Sequence, residues 1–289
     1  MTNTPSSPAN QTTGAPPEAP EACATPATED TMIPFTDLIR PHTGGISRVR
    51  PAGKSFGWST TALVSGEAGE FFVKGVPNRP GGRLDSAQRE ATINPFVRDV
   101  TPTMRWQAED EHWFVMGFDA IEGMPADFRP GSPDLVRVVE ALNRVSKIPL
   151  PAVARGWEET RWDRFATEEE KALLRGDSLT YTDVHGHNFL LTEGGTWLLD
   201  WGWPTHGAPV IMPTDLAVQL VSAHHSPESA EGWVGQLEAW KASSPESAQA
   251  FARADVRMHE WMVEMRPEEE WLKAMLVAAE AWAEHLGAR

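Results

Sequence analysis

Asp183, Asn188 and Asp200 are the side chains in this sequence best placed, by type and spacing, to act together. Asp183 and Asn188 stand five apart in Tyr181-Thr182-Asp183-Val184-His185-Gly186-His187-Asn188, with a glycine between them. Asn188 leads into the apolar run Phe189-Leu190-Leu191; a Thr-Glu-Gly-Gly-Thr turn follows, and a second apolar run ends on Asp200. Two short apolar runs joined by a Gly-containing turn predict a β-hairpin. Such a hairpin brings Asn188 and Asp200 side by side although they are twelve apart in sequence. An amide oxygen and a carboxylate facing one small volume suit a hard divalent cation such as Mg²⁺, which takes oxygen ligands and completes its shell with water and phosphate. An aspartate beside that volume can accept a proton from a hydroxyl. These are the parts that phosphoryl transfer requires.

Such a set needs elements to hold it and a surface to hold phosphates. From Ile46 to Val76 the pattern is β-like: Ile46–Val49, a loop Gly53-Lys54-Ser55-Phe56-Gly57-Trp58-Ser59, Thr61–Val64, a turn, then Phe71-Phe72-Val73-Lys74-Gly75-Val76. Strand, Gly-containing loop and strand predict a sheet edge folded over phosphates, since glycine lets the backbone come close and exposed N–H groups bind anionic oxygen. The loop is not of the Walker type, because no Gly-Lys-Ser/Thr opens a helix. Lys74 is the only lysine between Lys54 and Lys147. On a strand in a pocket, a lysine needs a partner or an anionic ligand to offset its desolvation. The stretch Leu84–Val97 predicts a helix, and its Glu90 is the natural partner of Lys74. The run Trp113–Phe118 predicts a buried strand, and the Ile121-Glu122-Gly123 stretch after it a connector where two lobes would hinge.

Beyond this point the signals are helical. Ser132-Pro133-Asp134, Ser226-Pro227-Glu228 and Ser244-Pro245-Glu246 each place a capping serine, a first-turn proline and an acid ahead of a helix-compatible run. From Pro267 onward Trp271, Leu272, Met275, Leu276, Ala279 and Trp282 recur at helical spacing and predict core packing. A β-rich first part and a helical remainder with one embedded hairpin make an α+β chain in two lobes. The expected division is a Pro/Ala/Thr-rich disordered tail over 1–32, a nucleotide-binding lobe over 33–118 and a catalytic, substrate-binding lobe over 119–289.

The charge distribution is uneven. The chain of 289 residues carries a net charge of −16. Residues 33–118 hold nine acids and ten bases, whereas 119–289 hold twenty-eight acids and fifteen bases. A nearly neutral first lobe suits a polyanionic nucleotide, and an acidic second lobe attracts a cationic second substrate or simply keeps the surface soluble. Broad electrostatic binding to nucleic acid is disfavoured. No apolar run reaches the roughly 18 residues that mark a membrane helix, and no secretory signal is visible. Cys23 is the only cysteine, which rules out intramolecular disulfides and cysteine-based zinc sites. A cytoplasmic enzyme is the expectation.

The central stretch resembles the aminoglycoside phosphotransferase family of protein-kinase-like small-molecule kinases. The match rests on Thr182-Asp183-Val184-His185-Gly186-His187-Asn188, Leu198-Leu199-Asp200-Trp201 and Asp215-Leu216-Ala217, with Lys74, Glu90 and Trp113–Phe118 in the family's order. It spans about Ile46 to Val221 and thins in the final helices. The resemblance implies a bilobal fold with a small β-rich N-lobe and a larger, mainly helical C-lobe. It also implies that ATP or GTP and Mg²⁺ are bound. Asp183 would be the catalytic base, and Asn188 and Asp200 the metal ligands. Lys74, held by Glu90, would lie on the phosphates, Ser55 and Gly57 above them, and backbone groups around Gly117 to Asp119 on the nucleobase. Asp215 would brace the catalytic loop. The implied acceptor is a small hydroxylated molecule, with a cationic, aminoglycoside-like one favoured by the acidic second lobe.

One position departs from the family pattern: Tyr181 stands where a histidine is usual, two residues before the catalytic aspartate. Two other readings stay open at this stage. One is a catalytically inactive kinase-like protein that binds nucleotide or ligand. The other is a metal-dependent hydrolase built on His185, His187, Asp200 and His206, since histidine pairs are common zinc ligands; it leaves Lys74 without a role. Glu158-Glu159 and Glu168-Glu169-Glu170 either line a cationic pocket or cap and solvate helices.

Overall fold

The alternation of side chains along the strands decides where the first lobe is buried. The structure is a computed structural model and describes residues 33–52 and 59–288. Ser55, Gly57 and the tail over 1–32 lie outside the described residues. Five strands form one antiparallel sheet: β1 (Ile46–Pro51), β2 (Thr60–Gly66), β3 (Gly69–Pro77), β4 (Met104–Glu109) and β5 (Trp113–Asp119), in the order β1-β2-β3-β5-β4. Successive side chains on a strand point to opposite faces. One face packs Ala62, Val64, Val73 and Val115 with Phe35 and Ile39 of the helix α1 (Thr36–Thr43) and its approach. The other packs Val76, Phe114, Met116 and Phe118 with Leu84, Ala87 and Ala91 of α2 (Gly82–Ile93). Lys74 is two residues before Val76, so it shares the α2 face.

Two elements here were not read from the sequence, α1 and β4. The first has a proline, Pro41, inside eight residues, and the second is a half-exposed edge strand. Helix α2 stops earlier than expected, at Ile93. Pro95 stands in the 3-10 turn that follows, and Asn94 turns its side chain to Pro102 O and Met104 N instead of extending the helix.

After β5 the chain runs through residues 120–123 into a two-residue strand, β6 (Met124–Pro125), which pairs with the later hairpin. Helices α3 (Asp134–Val145) and α4 (Glu168–Leu174) follow, then β7 (Ser178–Thr180), the hairpin β8 (Phe189–Thr192) and β9 (Gly195–Leu198), and β10 (Thr205–Gly207). The chain closes with α5 (Ile211–Ser222), α6 (Pro227–Val234), α7 (Glu238–Lys241), α8 (Pro245–Met265) and α9 (Glu270–His285). Ser226 and Ser244 cap α6 and α8 through the backbone N–H groups of Ser229 and Ser247. The core of this part joins α3, α5 and α9 to the hairpin through Leu142, Phe189, Leu198, Leu216 and Trp282. Trp271 is a correction: it faces solvent at the start of α9, donates to Glu269 and lies under Arg266. Among the described residues no helix is long and apolar enough to cross a membrane.

Candidate active site

Lys74 projects from β3 toward α2 and is buried there between two carboxylates. Its Nζ lies 2.7 Å from Glu90 Oε2 and 2.8 Å from Asp200 Oδ1. Burial by itself would push the ammonium pKa down, but the Glu90 and Asp200 charges outweigh it and hold it above the usual lysine range. The same burial lifts Glu90, with Lys74 and the Trp201 backbone amide pulling it back. The Lys74–Glu90 pair that the sequence suggested is therefore present, and Asp200 joins it from 126 residues away.

The hairpin brings Asp200 there. Phe189 pairs with Leu198, and Leu199 N–H donates to Asn188 O at 2.8 Å, so Asn188 and Asp200 flank one end of the ladder. Asp200 adopts φ 56°, a left-handed conformation uncommon outside glycine; it stands two residues after the strand and turns the carboxylate toward Lys74. Asn188 Nδ2 donates to Asp183 O at 3.0 Å. With its NH₂ fixed on that carbonyl, the amide oxygen is the end available to a cation. One amide oxygen and one carboxylate form a hard-oxygen donor set that fits Mg²⁺.

The loop that carries Asp183 is pinned at several points. Gly186 passes so close to Ala126 O that a Cβ there would collide with it, and Ala126 N–H donates to Gly186 O and Phe189 O. Thr182 Oγ1 accepts from Arg161, whose guanidinium also grips the buried Glu159. About half of the Asp183 side chain meets solvent, with His185 Nε2 3.4 Å from its Oδ1. Partial burial still raises its carboxyl above the usual range; His185 opposes and the Asp200 charge adds.

Tyr181 fills the position where the family pattern breaks. It is buried, its hydroxyl donates to Leu199 O at 2.6 Å, and its ring packs 4.9 Å from Trp201 and edge-on to Phe189. It braces the Asp200 segment from behind without facing the cleft. Asp215 lies on α5, and burial drives its carboxyl well above the ordinary range. Its Oδ2 is enclosed without a hydrogen-bond partner, so the expected brace to the catalytic loop is not made through that atom.

The structure bears on three of the sequence readings. Gly117 and Asp119 lie within β5, flanked by β3 and β4, and Asp119 N–H donates to Thr103 O while its carboxylate pairs with Arg105. Gly117 is a glycine because the Trp106 ring occupies the space of a Cβ. The Gly117 backbone pairs within the sheet, and the Asp119 N–H is taken by Thr103. The acid-rich runs are also engaged: Glu159 with Arg161 and Thr205, Glu170 with Arg253, Arg257 and the Thr167 capping box, and Glu168 with Lys171. His206 stands apart from His185 and His187, its two ring nitrogens against Gly176 O and Arg155 O. Among the described residues no group of three His, Cys, Asp or Glu is arranged to hold a metal ion. The sequence reading missed Arg161, and also Arg89, Trp157 and Trp203. The only local signal was the Trp-Gly-Trp that follows Asp200.

No protein-family model and no curated protein matches the chain. Solved structures do. Choline kinase LicA from Streptococcus pneumoniae superposes over 86% of this chain and 98% of its own, at 12% identity and a TM-score of 0.60. A thermostable mutant of aminoglycoside phosphotransferase APH(4)-Ia, in a ternary complex with AMP-PNP and hygromycin B, covers 87% and 98% at 10% identity and 0.60. Aminoglycoside 2'-phosphotransferase-IIIa, in its GDP complex, covers 87% and 98% at 14% identity and 0.56. The chain has the bilobal, protein-kinase-like fold that choline kinase and the aminoglycoside phosphotransferases share.

Proposed function

We propose that the protein transfers the terminal phosphoryl group of a nucleoside triphosphate, ATP or GTP, to a hydroxyl of a small molecule. The observation that carries the reading is the Lys74 ammonium held between Glu90 and Asp200, on the strand-helix-hairpin frame that also sets Asn188 and Asp183 beside it. Asp183 accepts the proton of the acceptor hydroxyl as its oxygen attacks the terminal phosphorus and the bond to the bridging oxygen breaks. Burial raises its carboxyl above the usual aspartate range, which brings it nearer to the pKa of a useful base. Lys74, kept charged and aimed by Glu90, meets the phosphate oxygens. Asn188 and Asp200 would hold Mg²⁺, which supplies neutralisation of the phosphate charge when bound. Backbone after Asp119 meets the nucleobase. Catalysis here is positioning and charge neutralisation.

The comparison proteins include a choline kinase and enzymes crystallised with hygromycin B or spectinomycin. They support a small hydroxylated acceptor. The acid excess of residues 119–289 favours a cationic one, although the acids singled out in the sequence are largely paired with arginine or lysine. The test is a mass screen of hydroxylated compounds, cationic and neutral, incubated with protein, ATP and Mg²⁺. Expected is one product class heavier by a single phosphoryl group, absent with Asp183→Asn. Nucleotide binding with no transfer to any acceptor would point instead to an inactive kinase-like protein. An unchanged rate for Asp183→Asn would remove the assigned base.

A further inference from the structure

Arg89 neighbours Glu90 on α2 and makes a different kind of contact. Its guanidinium lies 5.4 Å from the ring centroid of Trp157 and 5.4 Å from that of Trp203. A guanidinium is flat and stacks on aromatic faces, so it can serve two indoles at once. One tryptophan belongs to the segment that carries Asp200, and the other to a stretch that reaches the Asp183 loop through Arg161. Trp203 stands three residues after Asp200. Trp157 stands in a stretch tied to β10 by His206 N–H to Trp157 O and Glu159 N–H to His206 O, at 2.9 and 2.8 Å. Four residues on, Arg161 donates to Thr182, the neighbour of Asp183.

The rest of the same α2 face meets the Asp200 segment too. Ser86, Arg89 and Glu90 are spaced i, i+3, i+4, which puts them on one side of the helix. Ser86 Oγ occupies the space a Cβ at Gly202 would need, and Glu90 takes Lys74. Trp203 remains 45% exposed, so its contact with Arg89 is not a by-product of deep core packing.

We infer that Arg89, clasped between Trp157 and Trp203, is a positioning residue: it ties α2 to the Asp200 segment and to the Trp157–Arg161 stretch that holds the Asp183 loop, and so keeps Glu90 on Lys74. Its consequence for catalysis rests on the phosphotransfer reading, while the clasp itself does not. Leu84, Ala87 and Ala91 join α2 to the sheet, and the clasp is a second anchor on the side that meets the Asp200 segment.

The experiment compares parent, Arg89→Ala, Arg89→Lys, Trp203→Ala and the Arg89→Ala/Trp203→Ala double variant by native-state hydrogen exchange, with α9 as internal reference. Expected is about tenfold faster exchange across Gly82–Ile93 in either alanine variant, with α9 unchanged. The double variant should be no worse than the singles, and lysine should restore part of the protection. Unchanged α2 exchange, additive effects, or acceleration spread equally over α9 would each overturn the clasp. Mg-ATP and Mg-GTP affinity by calorimetry is then measured on the same proteins and on Lys74→Met. Expected is about tenfold weaker binding for Arg89→Ala and at least that for Lys74→Met. Faster α2 exchange with unaltered nucleotide affinity would overturn the positioning role, and a parent protein that binds neither Mg-ATP nor Mg-GTP would overturn the phosphotransfer reading beneath it.

Discussion

Lys74 neutralises two carboxylates at once, so the cost of changing the triad depends on which member is removed. With Lys74→Met, the buried Glu90 and the adjacent Asp200 face each other without a counter-charge. Breaking a buried pair from one side costs about 3–5 kcal/mol, so chemical denaturation should show a loss of that order beyond any loss of activity. Glu90→Gln should cost less, because Asp200 still pairs with the lysine. At Tyr181 the hydroxyl and the ring can be separated. Tyr181→Phe gives up the bond to Leu199 O and should cost about 1 kcal/mol. Tyr181→Ala empties a packed site against Trp201 and Phe189 and should cost about 3–5 kcal/mol. Turnover should survive the first and fall sharply in the second. A Phe variant that folds but transfers no phosphate would show that the hydroxyl does more than hold the Asp200 segment.

At the scale of elements, what was legible in the sequence followed local periodicity. The β8–β9 hairpin was announced by two apolar runs around a Gly-Gly turn, and the α2 side of Lys74 follows from the period of two that links it to Val76. Glu90 could be chosen because few acids stand in the helix predicted directly after that strand. Arg161 with Thr182 and Arg89 with Trp203 could not be read in this way. Their partners are 21 and 114 residues apart, and nothing in the local pattern fixes which arginine turns inward. The arginine partners of the acid runs were hidden for the same reason: Glu170 meets Arg253 and Arg257 across more than eighty residues. The Gly117 register erred because a glycine in an apolar strand reads equally as a ligand contact or as a notch for a neighbour, and here the neighbour is Trp106. Gly117→Ala should therefore cost about 1–3 kcal/mol by overpacking, measured by thermal unfolding. Trp106→Ala in the same chain should recover part of the cost of the added methyl.

For the molecule as a whole, acid titration can be followed through Asp215. Burial raises its carboxyl, with Asp255, Glu159 and Asp183 adding and Arg161 opposing. A folded-state pKa above the unfolded value means that its contribution to stability is fully present below about pH 3.9, the free aspartate value, and is lost as pH rises through the folded pKa. Asparagine has no proton to lose. The melting temperature of Asp215→Asn should therefore rise relative to the parent as pH increases from acid to neutral, and a difference that stays flat with pH would show that Asp215 titrates normally. One feature of the connection between the lobes bears on motion. The tether from Asp119 to Met124 has only residues 120–123 between two paired strands, which leaves about eight soft torsions to absorb any swivel. Its far end is stitched by β6 and Ala126 to the hairpin and loop that present Asn188 and Asp200. The tether thus ends on the same strands that fix the Asn188–Asp200 pair, so any bending falls between that pair and the sheet that carries Lys74.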